Sequence, residues 1–344
     1  IKLERIEETL PLFEKALLLE PDNVIIFGSY ANALIKLERI EETLPLFEKA
    51  LKLESDNIKI ITNYASALIK LERVEEALPL FEKALQLEPD NVIIIYGYVN
   101  ALMKLERVEE SLALFEKALL LEPDDVITIC SYANALIKLE RVKESLPLFE
   151  KALQLEPDNV ITITNYAIAL IKLGKFEESC QFCEKSLQLK DDNYLRYKYA
   201  TALEELGKYQ QAIQQLKKIN LTDLLPYHAD VIRLTLGRLY YSIKQPDKGY
   251  EYFQEAIDNS DDEEKTLLYS ARSILANNPY NQTAVEMLGK IAQDSPRYAD
   301  AVQMLTLNLT SEEYYNRIDS ETKLKDTQML NRAMYHKRSE ERRV

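Results

Sequence analysis

The sequence predicts an all-α fold, a solenoid of stacked helix pairs. A phrase that opens with KLER and contains LFEKAL recurs every 34 residues, at residues 2–23, 36–57, 70–91, 104–125 and 138–159. Fixed self-similarity at such a period is typical of stacked-repeat proteins. The chain has only seven Gly and twelve Pro in 344 residues, and Leu, Ala, Glu and Lys are abundant, which favours helices throughout.

The repeat itself predicts two antiparallel helices joined by a tight turn. We number it so that Ile58 is position 1 and Asn91 is position 34. Apolar and small residues fall at positions 4, 7, 8 and 11 and again at 17, 20, 24, 27 and 28, which in both cases is the spacing of one helical face. The polar pair Glu72-Arg73 separates the two sets, while Pro89 ends one helix and Asn91 can cap the next.

At these positions the repeat resembles the tetratricopeptide repeat family. It has an aromatic residue at position 24 (Phe81), alanines at positions 8, 20 and 27, and a proline at position 32. It departs at position 4, where Ile61 replaces the usual Trp, and at position 15, where Glu72 replaces the usual Gly. The resemblance implies a right-handed α-solenoid of tandem helix-turn-helix repeats with a divergent helical C-terminal cap. It also implies a protein-protein interaction scaffold that binds a peptide or protein in a concave groove.

The repeats divide the chain into five regions. We expect a partial repeat at 1–21, five repeats at 24–192, two divergent repeats at 193–263, a degenerate helical cap at 264–310 and a helical or frayed tail at 311–344. The fifth repeat regains the usual glycine as Gly174, and the next fits the pattern only if one residue is deleted before it. The pairing of the helices after residue 263 stays open.

Prolines break one local rule. Pro11, Pro45, Pro79 and Pro147 occupy position 22, about four residues into the second helix. A proline in a helix interior removes one backbone hydrogen bond and clashes with the preceding turn, at a cost of up to roughly 3 kcal/mol. We therefore expect the regular part of these second helices to start late, after a loose turn.

The candidate ligand site is the groove-facing side of the first helices. The resemblance implies that positions 2, 5, 6, 9, 12 and 13 face the groove, and helical periodicity places them on one stripe. Positions 2 and 12 are mostly Ile or Met. Lysine recurs at position 13 and asparagine at position 6 or 9, and the divergent repeats add aromatic and basic residues. The predicted groove residues are Lys36, Lys70, Lys104, Lys138, Lys172, Asn32, Asn63, Asn100, Asn134, Asn165, Tyr194, Tyr197, Lys198 and Arg238.

This composition predicts an acidic protein or peptide as the partner. Asparagine amides can hydrogen-bond the backbone of an extended peptide whatever its side chains. A row of lysines beside them would favour carboxylates. The alternative is that duplication copied one solvated surface five times without any selection for binding.

Some tetratricopeptide repeat domains hold the C-terminal carboxylate of a chaperone peptide in a clamp of Lys, Asn, Asn, Lys and Arg. Asn134, Asn165 and Lys198 match three of those places in this sequence. The other two places are Cys130 and Tyr194, where the family has lysine. A clamp without these two cations is expected to be weak.

A CxxC pair, Cys180 and Cys183, lies within a predicted second helix. A redox CxxC needs a helix N-terminus after a strand, and a zinc site needs two more ligands. His228 and His336 have no companion motif, so we interpret the cysteines as core residues. We expect no cofactor, no metal and no enzymatic activity.

Composition excludes some partners. The formal charge of −14 and the pI near 4.9 argue against nucleic-acid binding, which needs a basic face. No apolar run approaches a membrane span, and we expect a cytoplasmic protein of undetermined oligomeric state. The chain opens at Ile1, within a repeat. The alternative function is therefore the docking or regulatory part of a larger enzyme, such as a glycosyltransferase, with its catalytic domain upstream.

Overall fold

The computed structural model describes residues 6–278 and 281–308, and these ranges contain helices and no strand. This confirms the predicted all-α fold for that part of the chain. The helices are α1 (Leu10–Leu19), α2 (Val24–Lys36), α3 (Leu44–Leu53), α4 (Ile58–Lys70), α5 (Val74–Leu87), α6 (Val92–Lys104), α7 (Val108–Leu121), α8 (Val126–Lys138), α9 (Val142–Leu155), α10 (Val160–Lys172), α11 (Phe176–Leu189), α12 (Asn193–Glu205), α13 (Tyr209–Leu216), α14 (Pro226–Ser242), α15 (Pro246–Asn259), α16 (Glu263–Asn277), α17 (Gln282–Gly289) and α18 (Tyr298–Asn308). Two short 3-10 helices lie at Glu41–Thr43 and Leu221–Asp223.

The chain divides into two compact units, Ile1–Leu173 and Gly174–Val344. In the first unit, the even-numbered helices α2 to α10 are the first helices of the repeats, and the odd-numbered helices α3 to α9 are the second helices. Each helix packs mainly on its neighbours in sequence. The core is therefore a continuous series of layers, and each layer is built by adjacent helix pairs.

The residue at position 34 is the N-cap of each first helix in the first unit. Its backbone is extended, and its side-chain oxygen accepts a hydrogen bond from a backbone N–H in the first turn of the helix. These residues are Asn23, Asn57, Asn91, Asp125 and Asn159. The predicted capping role of this position is confirmed.

Position 15 ends the first helices in the left-handed backbone region. Glu72 has φ of 58°, its N–H donates to the Ile69 carbonyl at 3.2 Å, and the Arg73 N–H donates to the Leu68 carbonyl at 2.9 Å. This pair of bonds satisfies carbonyls that would otherwise lack partners at the helix end, as in the Schellman motif. The same geometry recurs at position 15 of the neighbouring repeats, so the turn is part of the repeat.

The expectation about the prolines is wrong for two repeats. Pro79 and Pro147 lie inside α5 and α9, which begin at Val74 and Val142. Proline has no N–H to donate to the carbonyl four residues earlier. In α5 that carbonyl belongs to Glu75, an exposed residue, so water can take the place of the missing donor. In α1 and α3, by contrast, the proline is the second residue of the helix.

Aromatic pairs join successive repeats of the first unit. The position-24 phenylalanine of one repeat packs against the position-7 tyrosine of the next, as in Phe115–Tyr132, whose ring centroids are 5.6 Å apart. The Tyr132 hydroxyl also donates to Glu116 Oε1 at 2.9 Å. Burial and this carboxylate raise the pKa of Tyr132 to about 12. The interface between repeats thus combines ring packing with a charge-assisted hydrogen bond.

The second unit keeps the helix pairs but loses the strict sequence pattern. Its C-terminal core joins Phe253 of α15 and Ala271 of α16 to Leu288 of α17 and Ala301 of α18. Helix α16 packs on α14, α15, α17 and α18, which gives the pairing that the sequence left open. The predicted tail at 311–344 lies outside the described residues. Among the helices of the described ranges, none has the length and apolarity needed to cross a membrane.

Candidate functional site

The position-13 lysines are exposed at the C-terminal ends of the first helices. Lys36, Lys70, Lys104, Lys138 and Lys172 are each the last residue of their helix. A cation at this end also interacts favourably with the helix dipole. The sequence placed a lysine here in every repeat of the first unit, and the structure shows where each one lies.

One of these lysines pairs across repeats. Lys104 Nζ lies 3.1 Å from Glu72 Oε1, and Glu72 is the position-15 residue of the preceding repeat. Such exposed pairs contribute about 0–1 kcal/mol, so the contact weakens the local positive charge more than it stabilises the fold. Lys70 and Lys138 form no ion pair within residues 6–278 and 281–308. Lys104 is therefore partly neutralised by a glutamate of the preceding repeat, a feature that the sequence pattern alone did not bring out.

Two of the predicted asparagines are joined across repeats. Asn63 Nδ2 donates to Asn32 Oδ1 at 3.3 Å, which links two successive repeats. Asn134 and Asn165 are half-buried, and Asn100 is exposed. A primary amide offers two donors and one carbonyl acceptor, so the Asn32–Asn63 contact leaves capacity for a ligand backbone.

The apolar positions of the predicted groove behave in two ways. At position 2, Ile25 and Ile93 are 79% and 78% exposed, because they project from the first turn of the helix. At position 12, Ile69 is buried, while Ile35 and Met103 are half-buried against the core. Position 2 is therefore available for contact, whereas position 12 belongs mostly to the packing between helices.

The predicted residues of the second unit lie on α12 and α14. Lys198 Nζ lies 5.3 Å from the Tyr194 ring centroid and 5.9 Å from that of Tyr197, which are cation–π distances. The Arg238 guanidinium is bound in bidentate fashion by the Glu204 carboxylate, with an Nη2–Oε2 distance of 2.8 Å. Arg238 thus adds little free positive charge, whereas Lys198 forms no ion pair with any residue that the structure describes.

The carboxylate clamp lacks a cation at Cys130. This side chain is buried, and its Sγ lies 3.1 Å from Thr162 Oγ1. Burial raises the pKa of the Cys130 thiol, which keeps it uncharged. Asn134 and Asn165, the two clamp asparagines of the first unit, are half-buried.

The CxxC cysteines are core residues of α11. Cys180 and Cys183 are buried, and Cys183 occupies the position where other repeats have the core phenylalanine. Burial raises the pKa of Cys183 to about 12, so its thiol stays protonated at neutral pH. Within the part of the chain that the structure describes, no group of His, Cys, Asp and Glu side chains is placed to hold a metal ion.

A cavity in the second unit was not anticipated from sequence. It has a volume of ≈ 420 Å³ and is lined by residues of α12, α14 and α16, including Tyr197, Tyr227, Arg238, Lys265 and Tyr269. Tyr197 and Arg238 are among the predicted groove residues, but Tyr227 and Tyr269 are not. The available signal was the presence of a tyrosine in each of three successive first helices. That signal was missed because the repeat pattern decays in this region.

Comparison with known proteins gives the family of the repeats and the fold. The tetratricopeptide repeat family model matches residues 69–128 and 136–203. A tetratricopeptide repeat protein from Parabacteroides merdae has a similar structure, with a TM-score of 0.54, 16% identity, and coverage of 73% of this chain and 98% of that chain. YrrB, described as a TPR protein with an unusual peptide-binding site, gives a TM-score of 0.48 at 23% identity, covering 53% of this chain and 94% of that one. MamA from Desulfovibrio magneticus gives 0.47 at 17% identity, covering 49% and 96%. No curated protein matches the chain in sequence.

Proposed function

Because this chain is a tetratricopeptide repeat protein, we propose that it is an interaction scaffold that binds an acidic peptide or protein on the face formed by its first helices. Tetratricopeptide repeats generally mediate protein-protein interactions, and proteins built from them are typically non-catalytic. The observation that carries the proposal is the row of exposed position-13 lysines, one per repeat through the first unit. We name this set the lysine row: Lys36, Lys70, Lys104, Lys138 and Lys172.

Charge gives the lysine row its selectivity. The chain has a formal charge of −14, so an acidic partner is repelled by most of the surface and attracted where cations are unpaired. Lys70 and Lys138 supply such cations, whereas the Lys104–Glu72 pair must open or share its charge with the ligand. Asn32 and Asn63, which are joined across repeats, and the other predicted asparagines would supply neutral contacts to the ligand backbone.

The test compares two variants, in each of which three lysines are replaced with alanine. Replacing Lys70, Lys104 and Lys138 with alanine should weaken binding of a partner recovered by affinity capture at least severalfold, because each exposed contact is worth about 0.2–1 kcal/mol. The affinity should also depend less steeply on salt, since fewer charges are screened. The measurement is a titration of affinity against salt concentration.

The chain offers a matched control at position 26 of the second helices. Lys83, Lys117 and Lys151 are also spaced one repeat apart, but they pair with aspartates of the preceding repeat, at 3.0, 3.3 and 3.2 Å. Their triple alanine variant should keep the salt dependence of the parent. If both triple variants bind as the parent does at every salt concentration, the lysine row is only a duplicated surface.

A further inference from the structure

The cavity of the second unit has aromatic walls supplied by three helices. Tyr197 comes from α12, Tyr227 from the first turn of α14 and Tyr269 from α16. Tyr227 is 64% exposed and Tyr269 is 40% exposed, so both rings are open to solvent. Tyrosine is enriched at interface hot spots because it offers a large apolar area at a small conformational cost.

Most charged groups around this cavity are in ion pairs within the protein, although the buried Nε atoms of Arg233 and Arg238 have no hydrogen-bond partner among the described residues. Arg238 is held by Glu204, and Asp230 accepts from Arg233 Nη1 at 2.9 Å. Asp262 caps α16 through the Lys265 N–H at 3.2 Å, and its other oxygen lies 2.6 Å from Arg297 Nη2. A charged ligand group would have to compete with these partners.

Two charges at the cavity remain outside ion pairs among the described residues. Lys265 Nζ lies 5.8 Å from the Tyr227 ring centroid, and Asp261 is exposed in the loop before α16. They have opposite signs, so the unpaired charge of the lining sums to about zero. The electrostatics of the cavity therefore favour an uncharged group over a carboxylate or an ammonium.

The cavity is large enough to admit a large side chain. A volume of ≈ 420 Å³ lies at the lower end of the range for ligand pockets, which is about 300–1,000 Å³. An aromatic side chain buries about 150–250 Å² and stacks favourably on tyrosine rings. An aliphatic side chain would gain the apolar contact without the stacking.

We propose that this cavity is a docking pocket for an uncharged aromatic side chain of the partner peptide. This proposal rests on the proposed function. It adds a second contact with the same partner, made by aromatic packing instead of by the charges of the lysine row. The lysine row would select acidic partners through charge, and the tyrosine pocket would select an aromatic residue elsewhere in the same partner.

The composition of the chain provides a direct assay. The protein has no Trp, so the fluorescence of N-acetyl-tryptophanamide can be excited selectively and followed as the full chain is added. We expect a saturable blue shift of the probe emission. Tyr227→Ala and Tyr269→Ala should each weaken binding about two- to twelvefold, the range expected for loss of one aromatic contact.

Tyr250→Ala is the matched control. Tyr250 is 38% exposed, close to the value for Tyr269, but it lies on α15 outside the cavity and its hydroxyl contacts Gln254. This variant should bind the probe as the parent does, and circular dichroism checks that all three variants fold. N-acetyl-lysinamide and the N-acetyl amide of glutamic acid should not displace the probe.

The outcomes separate this inference from the proposed function. Absence of probe binding, equal effects of all three tyrosine variants, or displacement by a charged amide would overturn the aromatic pocket. Those results would leave the lysine-row test unaffected, since that test uses the captured partner and variants of the first unit. Probe binding that depends on Tyr227 and Tyr269, together with weaker partner binding by the Tyr227→Ala/Tyr269→Ala double variant, supports the pocket. Unchanged partner affinity of this double variant would overturn its role in docking.

Discussion

Replacing Glu106 with glycine is predicted to stabilise the protein. Glu106 occupies position 15 and has φ of 57°, a region in which a side chain beyond Cα is strained. The same geometry is imposed on Glu38, Glu72 and Glu140, with φ values of 60°, 58° and 58°. The next repeats have glycine at this position, and Gly174 has φ of 72°. The turn therefore requires the left-handed conformation whichever residue occupies it.

The magnitude follows from two opposing terms. A residue with Cβ pays about 1–2 kcal/mol in the left-handed region, and glycine avoids this cost. Glycine in turn loses about 0.5–1 kcal/mol more conformational entropy on folding. Glu106 is exposed and forms no ion pair with described residues, so the expected net gain is about 0–1.5 kcal/mol, with a midpoint of about 0.7 kcal/mol. For Glu72→Gly the gain should be smaller, because the contact with Lys104 is also lost.

The assay is urea unfolding followed by far-ultraviolet circular dichroism, with Glu75→Gly as the control. Glu75 is also exposed, but it lies in the first turn of α5 with right-handed helical geometry. There the same chemical change should destabilise by about 0.5–1 kcal/mol, because glycine is a poor helix former. The two substitutions should thus move the unfolding midpoint in opposite directions. A loss of stability for Glu106→Gly as large as that for Glu75→Gly would refute the reasoning.

Two further predictions concern the core and pH. Phe81→Ala should cost about 3–5 kcal/mol because the ring is 1% exposed, and Ala84→Leu should cost about 1–3 kcal/mol by overpacking. Lys70→Ala should be nearly neutral in the same thermal unfolding experiment, and a large loss would contradict its placement on an exposed face. The pKa values of Tyr98 and Tyr132 are raised to about 12 from the ordinary tyrosine value of 10.0, mainly by burial and then by a neighbouring carboxylate. The stability linked to these raised values is fully present below pH 10 and is lost as the pH rises toward about 12. Urea midpoints measured across this range should fall, and less so in a Tyr98→Phe/Tyr132→Phe variant; midpoints that rise would contradict the prediction.

The sequence by itself determined which helices form in the first unit and which of their residues are exposed or capping, although it misplaced the starts of α5 and α9. The helix caps at position 34, the apolar spacing and the exposed lysines recur in successive repeats. Each of these features depends only on residues within one helix or one turn. Local rules therefore sufficed to place Asn91 at a helix start and Lys70 on an exposed helix end. They also showed that Glu72 replaces the glycine usual at position 15. They did not show the left-handed backbone conformation that makes a glutamate costly there.

Tertiary structure decided which of these groups are free to act. The Lys104–Glu72 pair, the Asn63–Asn32 contact and the bidentate bond from Arg238 to Glu204 all join residues 31–34 positions apart in sequence. Such contacts depend on how successive helices are placed against one another, which a pattern within one repeat does not specify. The tyrosine-lined cavity is the extreme case, since it needs three helices from repeats whose pattern has decayed. Helical periodicity assigns a residue to a face, but only packing between repeats decides whether its charge is neutralised and whether its ring borders a cavity.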